Sequence, residues 1–368
     1  MSIQTSTSLK PEFREATNLL RGICAFAIIV WHYQHFFYNG LATTEFTRSS
    51  QPFYNLLSPF YESGYFAVQI FWCISGLIMT HSYVEQSSFK SKEFAIARFA
   101  RLYPIHLITL VVVVVLQQIS LRSVDSYQIY GTNDFFHFIL NIFFAQSWGF
   151  EKDVSFNAPS WSVSIEILIY LLFCAIVPFL KRFRVWVPIT ILIFYRLSLS
   201  LDLNSRFHTP IVYFFLGVLI YFIGKSKYKK ISDFSYVLIF AFEITAYIGL
   251  RNFGVINFGA GANGYVWSTA FLVLIVSQID HLKIVRLLIR ARVLGDISYS
   301  VFLWHIPLQI SIKLVQANYA VDLTIAHRNI FFILYISLTY ILGYFSYKHI
   351  EQPAQRYFRQ KLIRTQQN

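Results

Sequence analysis

Apolar runs of 16 to 22 residues recur along this chain, separated by short polar turns, and they constrain its fold more than any other feature. They cover about 17–38, 62–83, 102–119, 160–180, 185–201, 208–224, 232–250, 264–279, 297–317 and 328–349. A helix rises about 1.5 Å per residue and a bilayer core is about 30 Å thick, so each run reaches most or all of the way across. Inside lipid every backbone N–H and C=O must be satisfied within the segment, so the spans are helices. The sequence predicts one all-α, polytopic membrane domain over 1–368, with about ten transmembrane helices. Composition agrees. Hydrophobic residues make up 56% and charged residues 13%, about half the charge of soluble domains.

An eleventh apolar stretch, 135–149, reaches only about 22 Å as a helix, too short to cross. The positive-inside rule decides how to treat it. If it stays on the outer side as a short interfacial or re-entrant helix, and both termini are cytoplasmic, 23 of the 31 lysines and arginines fall in cytoplasmic segments. These include Arg98 and Arg101, then Lys181, Arg182 and Arg184, then the lysines between 225 and 230, and Arg356, Arg359, Lys361 and Arg364. Letting 135–149 cross would put two of these clusters on the wrong side. The net charge of +13 is therefore explained by topology, with no nucleic-acid partner needed, and a few arginines remain for a phosphorylated ligand.

Within the first span Arg21 and His32 stand eleven residues apart. That is about 16 Å of helix and three turns plus about 20°, so they share a face. An ionisable residue inside a span is costly and is a functional candidate by default. The structural alternative is a snorkelling arginine and a histidine bonded within the bundle. Arg98 and Arg101 also share a face just before Tyr103-Pro104, read as the entry to the third span. They suit bidentate phosphate binding or serve only as positive-inside charges. Asn157, Pro159 and Trp161 form a turn and interfacial anchor before the fourth span. Ser162 and Glu166 follow on one face of that helix, and at its depth Glu166 is a plausible neighbour of His32 or half of a structural ion pair. Tyr299, Ser300 and His305 either line a polar cavity or hydrogen-bond between helices. Glu351 and Pro353 close the last span, Glu351 pairing with a basic loop.

Cys24, Cys73 and Cys174 lie in apolar runs without metal-ligand spacing, and a disulfide framework is not expected. A metal site is not expected either. The chain shows no P-loop, no HExxH helix and no Gly-x-Ser-x-Gly elbow. No two halves repeat, as they do in many secondary transporters. The polar first sixteen residues and the long run after them read as a signal anchor, with no cleavable signal peptide.

Taken in order, these elements resemble the membrane-bound acyltransferase 3 family, enzymes that O-acylate sugars and other acceptors. The matching residues are Arg21-x10-His32, the segment around Ser75-Gly76, and Arg98-x-x-Arg101 before Tyr103-Pro104. Asn157-x-Pro159-x-Trp161-Ser162-x3-Glu166, Phe215-x-Gly217 and Gly295-x-Ile297-Ser298-Tyr299 follow, then Leu303-Trp304-His305 and Tyr347-x2-Ile350-Glu351-x-Pro353. Gln69 departs from the acidic residue that many members carry, and an appended esterase-like domain is not expected. The resemblance implies an acyl-CoA donor, usually acetyl-CoA, as a substrate and no permanently bound cofactor. It implies as acceptor a hydroxyl of a glycan or lipid-linked saccharide, such as a lipopolysaccharide or exopolysaccharide, at the extracytoplasmic face of a bacterial cytoplasmic membrane.

The CoA-facing role then falls to Arg21, Arg98, Arg101 and Tyr103, and the catalytic role to His32, as general base or transient acyl carrier, with Glu166 orienting it. Ser75, Asn157, Trp161, Ser162, Tyr299 and His305 are expected to serve the acceptor or support the site. A transporter or flippase using the intramembrane His and Glu is the alternative from another class. O-acylation of a small molecule is the alternative within the enzyme class.

Overall fold

A computed structural model describes residues 11–39, 46–200, 207–226, 292–319 and 323–367. Every regular element among them is helical, and they contain no strand. In chain order the helices are α1 (Pro11–His32), α2 (Tyr54–Ser63), α3 (Ala67–Met79), α4 (Ser91–Val124), α5 (Phe135–Ile142) and α6 (Trp161–Phe183). They continue with α7 (Trp186–Ser200), α8 (His208–Ser226), the single turn α9 (Arg292–Asp296), α10 (Ser298–Tyr319), α11 (Asn329–Ser346) and α12 (Gln352–Gln367). The expected spans at 232–250 and 264–279 lie outside the described residues.

Four continuous helical runs among the described residues are long and apolar enough to cross a membrane: Tyr54–Val84, Ser91–Val124, Ala158–Phe183 and Asn329–Lys361. Shorter apolar helices cover Trp186–Tyr195 and His208–Ile223. Their outward faces suit lipid. On α4, Ile108, Val111, Val115 and Ile119 are exposed, and on α11 Ile330, Ile333, Leu334, Leu338 and Ile341 are exposed. Contiguous apolar surface of this kind marks a bilayer-facing side in a protein of this composition.

The structure corrects three boundaries. The helix bearing Arg98 and Arg101 starts at Ser91, so Pro104 lies inside it, thirteen residues from its first position. An interior proline lacks the N–H that would bond the carbonyl four residues back, and a 34-residue helix packed along its length tolerates that loss. The last span does not stop near Pro353. A π-helical turn at Tyr347–Glu351 carries α11 into α12, and the wider turn accommodates a proline at its exit. The helix expected over 135–149 is regular only for Phe135–Ile142, eight residues or about 12 Å.

The chain forms two compact units. One comprises Met1–Arg21, Val68–Phe89 and Ile169–Gly295, and the other Gly22–Ala67, Lys90–Leu168 and Asp296–Asn368. In the first, α3 and α8 meet backbone to backbone. A Cβ on Gly76 would lie 1.9 Å from the Phe214 carbonyl oxygen, and one on Gly217 would lie 1.9 Å from the Cys73 carbonyl oxygen. Small residues permit such approach between membrane helices. Lys181 donates to the Gln86 carbonyl at 2.7 Å and Arg184 pairs with Glu85 at 3.2 Å, tying the end of α6 to the segment after α3.

In the second unit, α10 packs against α4 and α11. An apolar core of Ile29, Val30, Tyr33, Phe36, Leu57, Tyr61, Val301, Phe332 and Tyr335 binds the end of α1 to α2, α10 and α11. The Tyr33 hydroxyl finds its acceptor in the Ala326 carbonyl at 2.7 Å, as a buried phenol must.

Candidate functional site: a histidine cluster at the end of α1

His32 is the last residue of α1, and the chain tightens there into a 3-10 turn, Tyr33–Phe36. A helix end leaves carbonyls without intrahelical partners, and α10 supplies donors for them. Gln309 Nε2 donates to the His32 carbonyl at 3.0 Å. Lys313 Nζ donates to the His35 carbonyl at 2.7 Å and the Tyr38 carbonyl at 3.2 Å. His305, Gln309 and Lys313 follow at intervals of four, so one face of α10 caps α1 and brings His305 to the capped end. All three are buried.

The His32 ring is fixed from within its own helix. Nδ1 lies 2.9 Å from the Ile28 carbonyl oxygen. A carbonyl only accepts, so Nδ1 carries the proton and Nε2 carries the lone pair. Around the ring stand Trp31, edge-on at 4.7 Å between centroids, His305 at 4.9 Å and His35 at 5.6 Å. His35 Nε2 lies 3.2 Å from the Tyr130 hydroxyl. His305 is fixed in the same manner as His32, its Nδ1 donating to the Phe302 carbonyl.

The sequence reading gave the orienting role to Glu166. In the structure the ring contacts the Ile28 carbonyl, an acceptor that the last turn of a helix offers four residues back without the cost of a buried charge. Glu166 sits half-buried in the second turn of α6.

Asn157 is placed by a proline. Pro307 has no N–H for the Leu303 carbonyl, and Asn157 Nδ2 donates to that oxygen at 2.9 Å. Trp161 opens α6, partly exposed, and the Ser162 hydroxyl donates to the Pro159 carbonyl at 3.1 Å. Ser162 thus caps a turn. The neighbouring serines do more. Gln146 donates to the Ser160 hydroxyl at 3.0 Å, while the Ser147 N–H and Trp148 Nε1 donate to the Ser164 hydroxyl and carbonyl.

On α4, Arg98 and Arg101 are half-buried, the Arg98 guanidinium lies 5.8 Å from the Phe94 ring centre, and Tyr103 stacks on Phe99 at 4.6 Å. Tyr299 joins α10 to α4 between these residues, its hydroxyl donating to the Leu102 carbonyl at 2.9 Å. Glu351, expected to pair with a basic loop, accepts from the Ser300 hydroxyl at 2.8 Å and from Gln355 at 3.1 Å. Arg21 and Ser75 belong to the first unit. There Arg21 is nearly buried and donates to Asn18 Oδ1 at 3.4 Å, and Ser75 lies half-buried on α3.

His305 therefore joins His32 directly, while Asn157 and Tyr299 bind the backbones that carry these residues. Gln309, Lys313 and His35 were not foreseen. For the first two a signal was available: with His305 they make three polar residues four apart in an otherwise apolar span, one of them a lysine outside the cytoplasmic count. No group of three or more His, Cys, Asp or Glu residues among those described is arranged to hold a metal ion.

A buried imidazole with Nδ1–H tied to a carbonyl and Nε2 presenting a lone pair can remove a proton from a hydroxyl or attack an activated carbonyl. A family model described as an acyltransferase domain, that of acyltransferase 3, matches residues 14–348. The chain is also 31% identical over 112 residues to the acyltransferase MdmB of Streptomyces mycarofaciens. That stretch covers 30% of this chain and 27% of the relative, so it spans about a quarter of that protein's length. No solved structure matches.

Proposed function

The chain belongs to the acyltransferase 3 family, and on that premise we propose that it is an acyltransferase that moves an acetyl group from cytoplasmic acetyl-CoA to a hydroxyl of a cell-surface or lipid-linked glycan. The observation that carries the reading is the fixed tautomer of His32, with Nδ1–H on the Ile28 carbonyl. As general base, Nε2 takes the proton of the acceptor hydroxyl as its oxygen attacks the thioester carbonyl. A C–O bond forms, the C–S bond breaks, and the imidazolium returns the proton to the departing thiolate. The products are an ester and free coenzyme A, and His32 ends as it began.

Arg98 and Arg101 are proposed to hold the phosphates of the donor, a task suited to the guanidinium fork, with Tyr103 beside them. Arg21 is assigned the same task from its place eleven residues before His32. The ten-span count, with both termini inside, puts all three arginines on the cytoplasmic side and His32 past the middle of the bilayer, in the cytoplasmic membrane of a bacterium. The cap from Gln309 and Lys313 supports the reading, because it holds the helix end that carries the base.

The test uses the full chain in lipid nanodiscs, labelled acetyl-CoA, and membranes of a gene-deletion strain as acceptor. The wild type transfers label, and His32→Ala loses transfer while keeping its thermal unfolding midpoint. Solute movement by the wild type with no acetyl-CoA turnover would overturn the proposal.

A further inference from the structure

Four side chains around His32 keep a buried nitrogen or oxygen with no hydrogen-bond partner among the described residues: the Trp31 Nε1 donor, His35 Nδ1, and, on α10, His305 Nε2 and Gln309 Oε1. The two on α10 are fully buried. Their orientations are not interchangeable with the flipped ones. His305 Nδ1 faces the Phe302 carbonyl and Gln309 Nε2 faces the His32 carbonyl. A carbonyl accepts only, so the opposite atom of each side chain is an acceptor. With His32 Nε2 at the end of α1 this makes three acceptors, the His32 and His305 rings 4.9 Å apart.

Leaving a buried acceptor unpaired costs about 1–3 kcal/mol, and native proteins rarely carry several together. What completes such a set is a molecule bringing O–H donors on adjacent atoms. A carboxylate or phosphate would find one donor, the Trp31 N–H, and would face the three acceptors with lone pairs, whereas an apolar alcohol would satisfy His32 alone.

We propose that this is the acceptor subsite and that its ligand is a vicinal diol. One hydroxyl meets His32 and is acylated. The hydroxyl on the neighbouring carbon donates to His305 Nε2, keeps its proton and fixes the register, with Gln309 Oε1 open to the next hydroxyl of a polyol. The inference rests on the acyl-transfer reading above and adds the acceptor class and the residues that select it.

The experiment uses the same nanodisc assay with His305→Phe, which keeps a ring and removes the lone pair, and His305→Gln, which restores an acceptor. His305→Phe should lower transfer at least about tenfold, the equivalent of one hydrogen bond to a buried group, with the KM for acetyl-CoA unchanged. His305→Gln should regain part of the loss. Independently, the ester made by the wild type should lie on a hydroxyl whose neighbouring carbon keeps a free hydroxyl, so that periodate spares the bond between those two carbons and cleaves it once the ester is removed.

Wild-type transfer by His305→Phe would mean that a buried water fills the site, and would overturn the subsite. So would an ester on a hydroxyl without a neighbour, and this measurement decides alone if His305→Phe does not fold. Label transfer that survives His32→Ala is the separate outcome that defeats the acyl-transfer reading and the subsite with it.

Discussion

His137 and His32 are both buried imidazoles, and the comparison between them inverts a common expectation. His137 has the carboxylate partner usually sought at a catalytic centre. Asp134 Oδ1 lies 2.8 Å from its Nδ1, and Asp134 also caps α5 through the His137 N–H at 2.9 Å. But His137 Nε2 accepts the Lys152 backbone N–H at 3.2 Å, so both nitrogens are occupied and the ring pins a loop to a helix. His32 has no carboxylate partner, only the Ile28 carbonyl, and keeps one nitrogen for chemistry. An acid beside a histidine says how the ring is oriented. Whether the ring can act depends on the nitrogen left over.

The largest effect that can test this contrast is at His32. Its replacement by alanine should reduce acyl transfer at least about a thousandfold, within the range of a lost general base. His137→Phe should leave transfer per folded molecule near wild type, so loss of turnover in that variant at unchanged folding would break the comparison. Next comes Gln309→Leu, which removes the donor to the His32 carbonyl. A drop in turnover of about tenfold is expected from a slightly misplaced base, with only about 1 kcal/mol lost in stability.

Smaller effects fall on stability alone. His137→Phe strands the Lys152 N–H, and Lys313→Met strands the His35 and Tyr38 carbonyls. Each should cost about 1–3 kcal/mol, read as a lower unfolding midpoint in detergent. The smallest concerns Asp134, whose carboxyl is held below the usual range first by the His137 backbone N–H and then by the His137 ring. Because its folded-state pKa lies below the unfolded value, the carboxylate adds stability above about pH 4 and loses it as the pH falls through the folded value. Asp134→Asn keeps an oxygen for the cap and should flatten that acid limb of the midpoint-against-pH curve. An unchanged limb would show that the cap does not depend on charge.

The all-helical character of the described residues was legible because it follows from periodicity and the cost of polar groups in lipid. Arg98 and Arg101 on one helix face were legible for the same reason. Pro104 was misread because a proline near the edge of an apolar run looks like a helix start, and only the polar turns from Ser91 onward, packed in place, show otherwise. Pro353 was misread as a stop because a π-turn leaves no sequence signature of its own. The Ile28 carbonyl went unforeseen for a different reason. Spacing tells which side chains share a face, but not which backbone carbonyl will saturate a ring first. Gln309 and Lys313 could be seen as polar residues in a span, yet their work on the carbonyls at and just beyond the end of α1 depends on contacts made across more than 270 residues.

The crossing of α3 and α8 has a bearing on how this sequence can vary. Gly76 faces the carbonyl of Phe214, three residues before Gly217, and Gly217 faces the carbonyl of Cys73, three residues before Gly76. The contact is reciprocal, each helix offering a hole and a knob of the same kind to the other. A single methyl at either position wedges the whole crossing open, and no change at the second position can take the wedge out. The two glycines behave as one locus: a lineage can keep both or must rebuild both helices together.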